Sequence, residues 1–172
     1  QNHNYTYSKL RNAIDRRLEL KTLSAANALS TVSQPWANKM SKLHDDRIVQ
    51  TITNSFDPEK TNYPPVKLTD NFTITYTGSI YPKYQFPSKL FEALANLIRD
   101  RKINTDDINV RFYGAKEEWL SKEITKFGLD GTVNQYGIVS HDTAIDKQRE
   151  SQLLLLLDWD DPYESGVYTG KI

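Results

Sequence analysis

The sequence predicts an α/β protein built on a doubly wound parallel sheet, and three observations carry that prediction. Phe72 to Thr77 is a run of β-branched and aromatic residues that reads as a buried strand, and Gly78-Ser79 breaks it. Leu90, Phe91, Leu94, Leu97 and Ile98 then recur at helical spacing on one face. From residue 72 onward the same alternation repeats as β-α-β-α-β-α-β, and connections of this kind favour parallel strands with helices on both sides.

The individual elements follow from local pattern. Residues 7 to 27 carry helical spacing, with Leu10, Ile14, Leu18 and Leu23 near one face and Arg11, Arg16, Arg17 and Lys21 outside it. Ala28 to Val32 is a short strand candidate. Pro35 suits a first helical turn, so Trp36 to Leu43 continues as helix. Arg47 to Thr53 alternates around Ile48, Val49 and Ile52 as a second strand. Asn54 to Pro58 is a turn cluster, and Thr61 to Asp70, with Pro64-Pro65, reads as a linker before a new unit. The division expected is therefore 1–60, a linker at 61–71, and 72–172.

In the second unit, Ile108 to Tyr113 is a strand closed by Gly114. Lys116 to Phe127 is a helix with Glu117 and Glu118 in its first turn and Gly128 placed to end it. Val133 to Tyr136 is a strand closed by Gly137, and Ser140 is a good N-cap for a helix reaching about Arg149. Gln152 to Asp158 is nearly all apolar, the pattern of a strand buried on both faces of a parallel sheet. Asp158 to Ser165 is an acidic loop, and Tyr168 to Ile172 looks like the approach to a further helix.

Composition narrows the function. The chain has 172 residues, enough for a sizeable core. Its 22 basic and 22 acidic residues balance, so no bulk field draws in nucleic acid or an anionic membrane. The chain has no cysteine, which excludes a disulfide scaffold, a thiolate metal site and a cysteine nucleophile and fits a cytoplasmic setting. His3 and His44 lack partners at ligand spacing, so no metal site is expected. The longest apolar run, Leu153 to Leu157, is far too short to span a bilayer. No G-x-S-x-G, Walker or G-x-G-x-x-G motif occurs, which removes the main support for hydrolase, P-loop and simple dinucleotide readings. Without a methionine start, the chain reads as a piece of a longer protein.

The candidate chemistry sits at strand ends. Gly78-Ser79, Gly114-Ala115, Gly137-Ile138 and Asp158-Trp159 share one edge of a doubly wound sheet, so they converge on one ligand or serve only as tight turns. Lys83, in the loop after Gly78, and Lys171, beside Gly170, are either phosphate-neutralising cations or solvated surface lysines. His141, after the Gly137 turn, either bonds a ligand or merely starts a helix. Asp158, Asp160, Asp161 and Glu164 form an acidic cluster that reads better as a solvated loop than as a cation or sugar site.

Taken in order, the segments Ser24 to Ser33, Thr53 to Asp57, Phe72 to Tyr81, Leu90 to Leu94, Val110 to Gly114, Tyr136 to His141, Leu153 to Leu157 and Gly166 to Lys171 resemble the retaining GT-B glycosyltransferases that use nucleotide-sugar donors, family 4 and its relatives. The resemblance covers about residues 20 to 172. It implies two Rossmann-like domains in the full protein, with residues 1–60 as the tail of the acceptor side and residues 72–172 as most of the donor domain, incomplete at its C-terminus. It also implies a nucleotide sugar as substrate with no separate cofactor, and a glycan or lipid-linked acceptor in polysaccharide or cell-envelope biosynthesis. The location implied is cytoplasmic, with room for peripheral association of the full-length protein at the inner face of the membrane.

By family position, Gly78 and Ser79 would flank the donor diphosphate, joined by Gly114. Tyr136, Val139 and His141 would flank the nucleobase, and Gly166 to Lys171 would lead to the sugar and ribose. Relatives often place a basic residue after the first glycine turn; Lys83 matches that only approximately, and Gln85 is a second candidate. The chain stops before the position where relatives grip the ribose with a glutamate, so the fragment alone is expected to be inactive. An incomplete lobe also leaves an open sheet edge that is expected to drive dimerisation. The alternative reading is a non-catalytic flavodoxin-like domain that binds a nucleotide or a partner. A third, a sugar-nucleotide epimerase, lacks an acid/base set in the sequence.

Overall fold

A computed structural model describes residues 7–58, 63–82 and 84–157. The chain divides between Asp57 and Pro58 into two compact units.

The first unit holds α1 (Lys9–Ser24), β1 (Ala28–Thr31), α2 (Gln34–Leu43) and β2 (Ile48–Thr51). The two strands pair in parallel from Ala28↔Ile48 to Thr31↔Thr51, and α2 crosses between them as a βαβ unit. Leu29, Ala37 and His44 are buried there, and His44 Nδ1 lies 3.4 Å from Ser24 Oγ. The expected apolar stripe of α1 buries nothing: Leu10, Ile14 and Leu18 are exposed. β2 is shorter than the sequence pattern suggests, since only four residues find partners on β1.

The second unit holds β3 (Phe72–Thr77), α3 (Ser88–Arg99), a single 3-10 turn (Thr105–Asp107), β4 (Ile108–Tyr113), α4 (Glu118–Lys126), β5 (Val133–Gly137), α5 (His141–Arg149) and β6 (Leu153–Leu154). Its four strands are parallel in the order β5-β4-β3-β6. The sheet thus grows one way from β3 to β5 and then returns to add β6 on the other side of β3. That reversal is the crossover point of a Rossmann-like sheet.

Alternation along β3 explains the two faces. Ile74 and Tyr76 point into an apolar core with Val110 and Phe112 of β4, Phe91 and Leu94 of α3, and Leu120 and Ile124 of α4. Thr73, Thr75 and Thr77 point the other way, towards α5 and the chain after it, where packing is polar. Thr75 Oγ1 shares a 2.7 Å hydrogen bond with Ser151 Oγ, Gln152 Oε1 accepts from the Thr73 N–H at 2.7 Å, and Gln148 Nε2 donates to Thr77 Oγ1. Beside them Arg111 Nη1 meets Glu150 Oε1 at 2.6 Å, and Lys147 Nζ reaches the same oxygen at 3.0 Å. Both faces of the sheet therefore carry helices.

Helix ends follow local chemistry. Ser140 Oγ accepts from the Thr143 N–H, capping α5. Gly128, at φ +67°, ends α4: its N–H donates to Thr125 O, while the Leu129 N–H donates to Ile124 O. This is a Schellman ending with Leu129 and Ile124 both in the core. α3 ends the same way, with the Arg101 N–H on Ile98 O and the Lys102 N–H on Leu97 O, but here a non-glycine residue takes φ +57°.

Two expectations need correction. α4 starts at Glu118 rather than Lys116, because the Gln135 side chain binds both the N–H and the C=O of Glu117 and keeps that residue extended. The apolar run 152–158 does not form a long strand buried on both faces. Only Leu153 and Leu154 pair, with Ile74 and Thr75, and Leu153, Leu154 and Leu156 are exposed. Among the described residues the sheet supplies β6 with a neighbour on one side alone, β3.

Candidate functional site at the carboxyl edge of the sheet

Parallel strands finish on one rim, and the rim glycines meet there. Gly78 follows β3, Gly114 follows β4 and Gly137 closes β5; the pairs Thr77↔Tyr113 and Tyr113↔Gly137 set them level. The Gly78 N–H donates to Tyr113 O at 2.7 Å and the Gly114 N–H to Gly137 O at 3.0 Å. These two amides are therefore spent on the ladder and are not free to hold an anion. What glycine supplies is space: a Cβ on Gly114 would stand 2.3 Å from the carbonyl oxygen of Gly78. The backbones close into a continuous floor that only hydrogen at that Cα permits.

The loop from Gly78 to Pro87 leads into α3 from the strand beside the crossover. Ser79 is exposed at its start, and its carbonyl accepts from Tyr76 Oη at 2.8 Å. Burial pushes the Tyr76 phenol up to about 12, with nearby Tyr81 adding to the rise. Ile80, Tyr84 and Gln85 are buried and anchor the loop. Gln85 Oε1 accepts from the Tyr81 N–H at 3.1 Å, and its Nε2 donates to Leu157 O at 2.8 Å. The side chain thus links the loop after β3 to the chain leaving β6.

On the far side of β4, the pairing of β4 with β5 is irregular between Phe112 and Tyr113. Tyr136 is the extra residue of this bulge, and its ring stacks on Tyr113 with centroids 5.0 Å apart and planes 19° apart. Tyr113 is buried, Tyr136 is half-exposed, and the pair lies on the α5 face. Burial raises the pKa of Tyr113, while Arg111 and Lys147 pull it back. Val139 is partly buried in the turn that follows. His141 opens α5 with its ring largely in solvent and Nδ1 3.7 Å from Asp142 Oδ1.

The rim therefore brings Gly78, Ser79, Gln85, Gly114 and Gly137 to β3, β4 and their neighbours, with Tyr136, Val139 and His141 beyond β4. Lys83, Lys171, the segment Gly166 to Lys171 and the acidic residues Asp158, Asp160, Asp161 and Glu164 lie outside the described residues. Sequence reading missed Lys116. Its stem runs beside Gly137, with Cε 3.5 Å from where a Cβ on that glycine would sit, placing a cation on the rim. Only its position directly after Gly114-Ala115 could have signalled it. Among the described residues no group of three histidine or acidic side chains could hold a metal, and no helix is long and apolar enough to cross a membrane.

No family profile matches the sequence, and no curated protein matches it. Solved structures do match. The crystal structure of TarM aligns with 90% of this chain and 29% of its own, at 16% identity and a TM-score of 0.62. A mutant of S. aureus TarM in complex with Fondaparinux, alpha-GlcNAc-glycerol and UDP aligns with 89% of this chain and 28% of its own, at 13% identity and a TM-score of 0.60. The apo form of the lipopolysaccharide outer core galactosyltransferase WaaB aligns with 77% of this chain and 36% of its own, at 18% identity and a TM-score of 0.52. This chain spans little more than a third of those structures at most. The likeness shows the fold: a Rossmann-like α/β arrangement of the GT-B kind, over part of its extent.

Proposed function

We propose that this chain is a piece of a glycosyltransferase, the end of its acceptor side followed by most of its donor side, and that it takes the nucleoside diphosphate of a sugar nucleotide at the rim above β3 and β6. The observation that carries this is the strand order. Ligands of open parallel sheets sit beyond the carboxyl ends at the reversal of strand order, and here that reversal falls between β3 and β6, beside Gly78-Ser79. The structural neighbour that contains UDP supports the choice of ligand. The Tyr113–Tyr136 stack would flank the base, and Lys116, Lys83 and Lys171 would supply charge towards the diphosphate.

In the whole protein the sugar would pass to a glycan or lipid-linked acceptor of the cell envelope, with retention of configuration. Catalysis would rest largely on stabilising the diphosphate as it leaves, by fixed dipoles and cations. No separate cofactor is proposed, and the full-length protein would work at the cytoplasmic face of a membrane. Isothermal calorimetry with UDP, GDP and ADP tests the reading. One of the three binds, more tightly than its monophosphate, and this chain alone shows no transfer. Absence of binding by all three overturns it.

A further inference from the structure

Gln85 is 7% exposed, and both ends of its carboxamide are occupied. Oε1 takes the Tyr81 N–H and Nε2 gives to Leu157 O. The loop is wound tightly about this point: the Tyr84 and Gln85 N–H groups both donate to Tyr81 O at 2.9 Å. Leu157 lies just past the ladder bond from the Leu155 N–H to Thr75 O. One side chain thus spans the two segments that leave β3 and β6, where the strand order reverses. Each end of the carboxamide already bonds the protein, and with only 7% of the residue exposed the side chain is set as a brace between the two segments.

We infer that Gln85 is a positioning residue: it fixes the distance between the loop after β3 and the chain after β6, and so holds the crevice in the shape that takes a diphosphate. This rests on the proposed nucleotide site, but the latch itself can be read without nucleotide. An apolar replacement removes both bonds by which one side chain ties the Tyr81 N–H to the Leu157 C=O, which frees the loop.

The test uses the 172-residue chain and the variants Gln85→Met and Gln85→Glu. A glutamate carboxylate can accept from Tyr81 but cannot donate to Leu157. Once protonated, its O–H can donate and its C=O can accept, restoring both bonds, and burial raises the pH at which that happens. UDP affinity is measured by calorimetry from pH 8 to pH 5 beside the wild type, and hydrogen-exchange protection of the Tyr81 amide is measured without nucleotide. At pH 8 Gln85→Glu, which loses one hydrogen bond, binds UDP about tenfold more weakly, and Gln85→Met, which loses both, binds at least as weakly as that. The deficit of Gln85→Glu closes towards pH 5, that of Gln85→Met persists, and Tyr81 protection follows the same pattern. Variants that bind like the wild type, or a Gln85→Glu deficit that does not move with pH, overturn the inference. Should the wild-type chain bind none of UDP, GDP and ADP, the proposed function fails on its own. Tyr81 protection then decides: an acid-recoverable loss in Gln85→Glu supports the latch, and unchanged protection overturns it.

Discussion

Gly114→Ala tests whether the rim floor depends on space. A Cβ there lies 2.3 Å from the Gly78 carbonyl oxygen and 3.0 Å from its carbonyl carbon. Ordinary contact begins about 1 Å farther out. Both obstacles are backbone, so no side chain can swing aside; β3 and β4 must part at their ends. Overpacking of this kind costs about 1–3 kcal/mol. The rim bonds from the Gly78 N–H to Tyr113 O and from the Gly114 N–H to Gly137 O are weakened with it. Losing one adds about 1 kcal/mol, so the total is about 2–4 kcal/mol.

Two other glycines give the contrast. Gly128 at φ +67° and Gly131 at φ +84° have nothing within 4 Å of an added Cβ, so alanine there meets conformational strain alone. That strain is about 1–2 kcal/mol. Urea unfolding followed by circular dichroism should therefore rank Gly114→Ala below Gly128→Ala and Gly131→Ala, with a fall in melting temperature of about 2–4 °C per kcal/mol. A Gly114→Ala midpoint equal to wild type, or higher than that of Gly128→Ala, would refute the close approach.

Three further outcomes follow. Arg101→Gly should stabilise the chain by up to about 1 kcal/mol in urea, because Arg101 holds φ +57° at the end of α3 without any need for its side chain there. Glu150→Leu should cost about 3 kcal/mol by leaving the Arg111 guanidinium, only 16% exposed, without its partner; Arg111→Met combined with Glu150→Leu should recover most of that, as a double-mutant cycle would read. Tyr76, whose phenol is pushed from 10.0 to about 12 in the fold, contributes stability that is full below pH 10 and lost as pH rises to 12. Each pH unit in that window removes up to about 1.4 kcal/mol. Urea midpoints at pH 9 and pH 11.5 should diverge for wild type and diverge less for Tyr76→Phe.

How much of this the sequence carried depends on whether the controlling partner is near in the chain. β3 and β4 have the bounds their residues predict, because β-branched runs closed by glycine are local signals. The Ser140 cap and the Gly128 ending are likewise local, each settled within one helical turn. The start of α4 is not, since Gln135 holds Glu117 from eighteen residues away. Nor is β6: five consecutive leucines state a demand for burial but not which neighbour meets it, and the two that pair with β3 stay exposed while Leu155 and Leu157 pack against the core. The polar face of β3 shows the same limit. Thr73, Thr75 and Thr77 read as ordinary strand residues until Gln152, Ser151 and Gln148 arrive from the other end of the unit to satisfy them. The candidate site divides along this line. Glycines at strand ends were legible because parallel topology makes them neighbours, whereas Gln85 looked like a ligand residue. Its two partners, one four residues away and one seventy-two, are what the sequence could not show, and they are the basis for proposing it as a positioning residue. On that proposal, a carboxamide tied to the protein at both ends acts on a ligand by shaping the space the ligand enters.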